Sequence, residues 1–485
     1  MTDTLQYLTR GTWVAGAAGD TADDLNPSDN REVLARYSSM STEQVRDVVE
    51  SAVTGARTWR RTSPIERGAV LSRAAARLRA GREELGAIVS SENGKTLAEA
   101  TVEVEKCADF FDFYAATCRM PLGSILADGR PGTQAMALSE PIGVVVAITP
   151  WNDPMLTPAR KLGPALAAGN SVILKPAPDT PLAAYHLARA LDEAGLPGGV
   201  LATVITDHDT LGRVVLDDPR VAGVTFTGST ATGRLLQQRL AGRGVRLQTE
   251  MGGKNAAVVL ADADLDLAVA TIGAAAFGQA GQRCTATSRV LVASSIHDEV
   301  VGRLAALAQG LVLGRSTEPG TTMGPLVSAV QRERVLAHLS GASGEGLTVV
   351  TGGGVPDAES LRHGCFVEPT VLTGMTADKA IWRDEVFGPV IGVRAIGSLD
   401  EAVEAVNDSP YGLSASLFTV DLRSANRFVQ EVDAGQVAVN LPTSGWDVHQ
   451  PFGGFKDSGS AFKEQGLEGL RFYTRVKTAA IRSAW

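Results

Sequence analysis

Ile142-Gly143-Val144-Val145-Val146-Ala147-Ile148-Thr149, followed by Pro150-Trp151-Asn152, is the stretch on which the fold turns. It carries no charge up to Thr149 and is rich in β-branched residues. That is the pattern of a strand covered on both faces, not of a half-exposed antiparallel one. Pro150 then ends the run, because proline cannot donate to a ladder. Downstream, Lys161–Ala168 reads as a helix stopped at Gly169-Asn170, Ser171–Lys175 as the next buried strand, and Pro181–Ala194 as a helix ending at Gly195. Ala202–Thr206, Gly223–Phe226 and Val245–Glu250 read as further strands. Strand and helix alternate from 142 to 250, which predicts βαβ units in a doubly wound parallel sheet.

A second series follows. Ala256–Leu260 and Ser288–Val292 read as strands, Leu265–Gly278 and Ile296–Gly310 as helices, then Phe366–Leu372 and Val390–Ala395 as strands with a helix at Leu399–Asn407. On the N-terminal side, Asn26-Pro27 is a turn signal, and Ser41 to about Arg119 is helical. Ser41 stands three residues before Gln44, and Ser63 precedes Pro64 and Glu66, both helix-start patterns. Thr133–Ser139 and Arg471–Arg482 alternate as exposed strands, and together they are expected to extend a sheet into a neighbouring subunit. The fold class is α/β, with two α/β halves packed tightly and the reactive residues between them.

Composition bounds the function. The chain has 485 residues, room for several domains, with 44% apolar, 20% charged and 5% aromatic residues. Its net charge of −9 lacks the basic excess of a nucleic-acid binder. No apolar run reaches the roughly 18 residues that span a bilayer. The start, MTDTLQYLTR, has no signal-peptide pattern, so a cytoplasmic location is expected. The 4 cysteines, Cys107, Cys118, Cys284 and Cys365, lie far apart without metal-ligand spacing. They are expected to be thiols, with no metal site.

Three elements carry chemistry. Gly281-Gln282-Arg283-Cys284-Thr285 follows an Ala- and Gly-rich helix, and small residues ahead of a cysteine give a thiolate an approachable backbone and nearby amide dipoles. A lone cysteine is otherwise a buried structural thiol. Thr249-Glu250-Met251-Gly252-Gly253-Lys254 places a carboxylate beside two glycines, where it can swing as a general base. Asn152, at the end of the opening strand, can donate to an oxyanion. Open α/β sheets place ligands at strand ends, so the convergence weighs more than any member. Phe226-Thr227-Gly228-Ser229-Thr230 is a strand–turn–helix junction able to set a pyrophosphate near a helix N-terminus, or simply to cap that helix.

Together, Cys284 in GQRC, Glu250 in EMGGK, Asn152 in PWN, FTGST at 226–230, Lys175 in LKPAP and Asp384–Pro389 (DEVFGP) resemble the aldehyde dehydrogenase superfamily, in the family's order and spacing, from about residue 10 to the C-terminus. The resemblance implies a cofactor-binding domain over 1–122 and 142–252, a catalytic domain over 253–440, and an oligomerisation arm with C-terminal segment over 123–141 and 441–485. It implies a homodimer or homotetramer. It further implies NAD or NADP as cofactor, Cys284 as nucleophile, Asn152 and the Cys284 N–H as oxyanion donors, and Glu250 as the base that activates water. By the same resemblance Lys175 contacts the adenosine ribose, Ser229 the pyrophosphate and Glu385 the nicotinamide ribose, with Phe387 beside it. Pro150, Trp151, Thr227 and Gly228 complete the cofactor site. One departure is Pro178, where NAD-preferring members often carry Glu; it leaves NAD versus NADP open. A non-catalytic relative would be expected to lose the thiol or the base, and a CoA-acylating enzyme would not need Glu250.

Arg160 lies eight residues after Asn152, and two helical turns take about 7.2 residues, so it falls on the same helix face and points toward a substrate funnel. Succinate semialdehyde dehydrogenases carry an Arg there that grips the substrate carboxylate; pairing with a protein carboxylate is the other reading. Arg283, beside the nucleophile, is a second anion-binding candidate and could support a thiolate. The stretches at 281–289, 439–443, 449–454 and 472–478 resemble the α-ketoglutaric semialdehyde (2,5-dioxopentanoate) dehydrogenase branch. The expected substrate is therefore a carboxylate-bearing semialdehyde. A phosphonate-bearing aldehyde is the alternative, followed by a neutral aromatic or aliphatic one.

Overall fold

The computed structural model describes residues 4–483. The opening stretch is the middle of a five-stranded, wholly parallel sheet ordered Arg246–Glu250, Val221–Thr227, Val144–Ile148, Ser171–Lys175, Leu201–Thr203. Every residue of Val144–Ile148 is buried, and the two-residue period sorts them. Val145 and Ala147, with Val172 and Leu174, join the core built on helices Pro64–Ala80 and Leu97–Thr117. Val144, Val146 and Ile148, with Ile173, join the core under helix Thr42–Arg61. Two-sided burial, at ~1.5–3 kcal/mol per large aliphatic side chain, is why the run could be uniformly apolar. Ser41 and Ser63 cap their helices as expected, Ser41 in a full capping box with Gln44.

The second sheet has seven strands: Thr348–Thr351, Thr370–Thr373, Val390–Ile396, Thr287–Ala293, Asn255–Val259, Ser414–Phe418, Gln436–Val439, all parallel except the first. The expected Phe366–Leu372 strand is only Thr370–Thr373. Phe366 and Val367 are buried, but the flanking backbone bonds to loops, Cys365 N–H to Pro27 O and Glu368 N–H to Gly354 O, at 2.8 and 2.9 Å. Strand Ser414–Phe418 and helices Ala329–Gly344 and Leu422–Glu431 lie outside the elements expected above, although the last is strongly amphipathic with Phe428 buried.

Thr133–Pro141 pairs antiparallel with Thr474–Arg482 and with Gly123–Leu126. The expected Arg471 start is corrected to Thr474, because Gly469–Tyr473 is a short helix that buries Phe472 and Tyr473. The two alternating segments pair with each other within one chain.

The sheets meet in opposite senses. Ile148, Thr227 and Glu250 end strands of the first sheet, and the chain runs from them into 150–152, 228–229 and 251–254. Cys284 and Glu385–Phe387 instead precede strands of the second, Thr287–Ala293 and Val390–Ile396. The site lies between the C-terminal edge of one sheet and the N-terminal edge of the other.

Candidate active site

A cavity of about 690 Å³ opens between these edges, and it is lined by Asn152, Thr227, Gly228, Ser229, Glu250, Cys284, Glu385 and Phe387 among others. Pro150, Trp151, Arg160 and Arg283 line it too. Lys175 does not. It is buried at the strand end level with Ile148, where burial lowers its ammonium pKa and nearby Asp179 opposes that.

On the first sheet's edge, the Pro150–Asn152 turn is fastened from behind. Asn93 Nδ2 donates to Trp151 O at 2.8 Å, and the buried Lys95 Nζ donates to Asn152 O at 2.8 Å. Asn152 itself is buried, its backbone fixed and its side chain on the cavity. Glu250 closes the next strand but one, and neither of its carboxylate oxygens has a hydrogen-bond partner. Burial, then the Glu464 carboxylate, push its pKa well above the ordinary range, while Lys161, Lys463 and Arg160 pull against them. A carboxylate buried without donors is costly unless it works. The close approach is possible because a Cβ on Gly453, at φ +144°, would stand 2.5 Å from Glu250 Oε1.

On the second edge, the loop leading to Cys284 is strained. Gln279 and Ala280 hold left-handed φ values of 51° and 52°, and Gly281 one of 71°. A Cβ at Gly281 would stand 2.1 Å from Gly388 O, so only glycine fits. Asn255 Nδ2 donates to Cys284 O at 2.8 Å and Ala286 O at 2.8 Å, orienting the peptide that follows the thiol. Burial pushes the Cys284 thiol up to about 12; Arg160 lowers it, and Asp153, Glu385 and Glu250 raise it. Arg160 is the cation that most favours the thiolate. Cys107, Cys118 and Cys365 are free and buried.

Arg160 stands on helix Leu156–Ala168 with its guanidinium carbon 4.6 Å from the Phe452 ring centre. Its Nη1 lies 3.8 Å from Glu464 Oε2, too long for a hydrogen bond, and its Nε is buried with no partner. Glu464 is held instead by the buried Lys161, which also donates to Thr225 Oγ1 at 2.9 Å. Arg283 is half-buried, 3.8 Å from Glu99 Oε1.

The remaining lining suits a dinucleotide. Thr227 Oγ1 is buried without a partner, a Cβ on Gly228 would stand 2.6 Å from the Phe226 ring, and Ser229 caps helix Thr230–Leu240, whose N-terminus faces the cavity. Backbone that close at a helix N-terminus fits a pyrophosphate, although Gly228 N–H already donates to Glu250 O at 3.1 Å. Glu385 accepts from Gly253 N–H at 2.9 Å, and burial raises its pKa to about 7. Phe387, at φ +54°, stacks edge-on against Trp151 at 5.3 Å. Among the described residues, no cluster of three or more His, Cys, Asp or Glu is arranged for a metal, and no helix is long and apolar enough to cross a membrane.

Sequence reasoning missed Asp153, Gln279, Lys161, Glu464 and Phe452. Asp153 follows Asn152 directly, and a lysine amid the apolar residues of 156–168 was a signal; Glu464, in an irregular stretch, gave none.

Comparison with known proteins agrees with this geometry. The description "Aldehyde dehydrogenase family" matches residues 13–479. The chain is 41% identical to an alpha-ketoglutarate semialdehyde dehydrogenase of Haloferax volcanii over 481 residues, 99% of each. It is 36% identical to a 2,5-dioxopentanoate dehydrogenase of Saccharolobus solfataricus, covering 96% of this chain and 97% of the other. The crystal structure of betaine aldehyde dehydrogenase from Staphylococcus aureus in complex with NAD+ superposes with a TM-score of 0.95 at 32% identity, over 98% of this chain and 95% of that one. The chain belongs to the aldehyde dehydrogenase family.

Proposed function

We propose that this enzyme oxidises a semialdehyde bearing a carboxylate, 2,5-dioxopentanoate in the first place and succinate semialdehyde next, to the dicarboxylic acid with NAD+ or NADP+. The observation that carries the reading is Arg160, a cavity guanidinium with a buried, unpartnered Nε and only a long approach to Glu464. A buried donor without an acceptor is costly, and a substrate carboxylate would satisfy it. The relatives' names, both semialdehyde dehydrogenases, support the same substrate class.

In the mechanism, Cys284 Sγ loses its proton to solvent water and bonds to the aldehyde carbon. The carbonyl oxygen becomes an oxyanion, held by the Asn152 amide and the Cys284 N–H. When bound, the nicotinamide cofactor accepts the hydride that leaves this carbon. Glu250 then withdraws a proton from the water that attacks the thioester, freeing the acid and restoring the thiol. Thr227, Gly228 and Ser229 would hold the pyrophosphate and Glu385 the nicotinamide ribose, with Pro150, Trp151 and Phe387 packing alongside. Lys175 would reach the adenosine ribose from outside the cavity, and Pro178 leaves either cofactor open. Residues 1–122 with 142–252 would form the cofactor-binding unit, 253–440 the catalytic unit, and 123–141 with 441–485 the arm. Ile125 and Val476, exposed on that arm, would be covered in a homodimer or homotetramer.

The test is NAD(P)H formation with 2,5-dioxopentanoate, succinate semialdehyde, phosphonoacetaldehyde, benzaldehyde and hexanal, in wild type and Arg160→Ala. The variant should raise KM about 100-fold for the carboxylate substrates and under about threefold for the neutral ones, since an anchoring charge supplies binding energy. Highest kcat/KM on a neutral aldehyde, or equal losses on all, would reject the anion reading. Highest kcat/KM on the phosphonate would replace carboxylate with dianion, using Arg283 as well.

A further inference from the structure

The two edges of the cavity are joined by one carboxylate. Asp153 Oδ1 accepts from Lys95 Nζ at 3.0 Å on the Asn152 side, and from Gln279 Nε2 at 3.0 Å on the Cys284 side. Lys95 also holds Asn152 O and pairs with the buried Glu103, whose other oxygen accepts the Met155 and Leu156 N–H groups at 2.9 Å. Gln279 N–H donates to Glu99 Oε1 at 2.8 Å, and Glu99 is fixed by its capping box with Thr96. One helix start, residues 95–103, thus grips both the Asn152 turn and the nucleophile loop.

We propose that Asp153 and Gln279 are positioning residues that set the two oxyanion donors, the Asn152 amide and the Cys284 N–H, relative to each other; this rests on the catalytic reading above. The donors come from different sheets, so nothing in either ladder fixes their separation. Oxyanion stabilisation depends on donors already in place, and a displacement of about 1 Å is enough to spoil it. A carboxylate only accepts, so Gln279 must turn its amide nitrogen to Asp153, and its Oε1 is left buried without a partner. The backbone at Gln279 and Ala280 is left-handed as well. An orphaned acceptor and a strained backbone persist where the surroundings over-determine them. Against the upward push of burial, Lys95, Arg283 and Arg160 hold the Asp153 carboxyl down at about 2, which favours its ionised, accepting form. Sited on the cavity wall, it also keeps a negative charge near the thiol, whose pKa it raises.

A double-mutant cycle tests the clamp. In wild type, Gln279→Leu should lower kcat about tenfold, with KM and cofactor dissociation constant within about twofold. In an Asn152→Ala background the same change should cost under about twofold, because with one donor removed there is no pair left to align. Gln279→Glu, which sets like charge against Asp153, should lose more, and Asp153→Asn should restore part of that loss by reversing the bond's polarity. Equal fold losses in both backgrounds, or no loss in kcat, would overturn the clamp. Full kcat in Asn152→Ala alone would instead reject the catalytic reading on which it rests.

Discussion

The C-terminal edge of the five-stranded sheet and the N-terminal edge of the seven-stranded sheet face one cavity but are built by different means. The first presents side chains that simply follow a strand: Asn152 after Ile148, Ser229 after Thr227, and Glu250 as a strand's last residue. Ordinary βαβ geometry delivers them. The second presents Cys284, the proposed nucleophile, ahead of its strand, after a loop with three consecutive left-handed residues, Gln279 to Gly281. There the backbone itself is shaped, as the roles proposed for the Cys284 N–H and thiol would require. The carboxylates differ in the same way. Glu250 is free at both oxygens, which suits the mobile base proposed for it, whereas Glu385 is tied to Gly253 N–H.

The largest test of this contrast is Cys284→Ala. It should lower hydride transfer on the order of 10⁴-fold or more, while cofactor affinity, measured by fluorescence titration, holds. Substantial residual turnover would mean that the second edge does not carry the nucleophile. Next comes Gly281→Ala, which changes only the shape of that edge. The Cβ meets Gly388 O, so the loop must shift, and kcat should fall about 100-fold with Cys284 intact. A near-normal kcat would show that the loop's shape is incidental. The smallest effect belongs to Glu385→Gln. The folded carboxyl has a pKa of about 7 against an ordinary 4.5, so the native state holds its proton more tightly and stability falls as pH rises through that window. The variant should therefore match wild type in melting temperature below that window and exceed it above pH 7. A lower melting temperature throughout would show that the tether to Gly253 outweighs the buried charge.

The contrast also explains what could be read in the sequence. The first sheet follows from Ile142–Thr149 and its neighbours, because two-sided burial writes itself as an unbroken apolar run. Asn152 and Glu250 follow from strand-end position. The glycines mark Cys284, but only the family resemblance implies which of four thiols reacts, since a loop ahead of a strand has no general rule. Strand Ser414–Phe418 stayed hidden because Ser-Ala-Ser carries little β preference. Asp153, Gln279 and Glu464 stayed hidden because their meaning lies in partners up to 303 residues away, as Glu464 is from Lys161. Periodicity cannot report such pairings.

The central claim, that base and nucleophile come from opposite edges and act in succession, is tested most directly by trapping. Mixed with 2,5-dioxopentanoate and cofactor, Glu250→Gln should give a burst of about one NAD(P)H per active site and then stall. Intact-mass and peptide analysis should find the acyl group on the peptide bearing Cys284, and raising the pH should not restart turnover as it would in wild type, where the raised Glu250 carboxyl ionises. Steady turnover by Glu250→Gln without a burst, or an acyl group on another residue, would contradict the account.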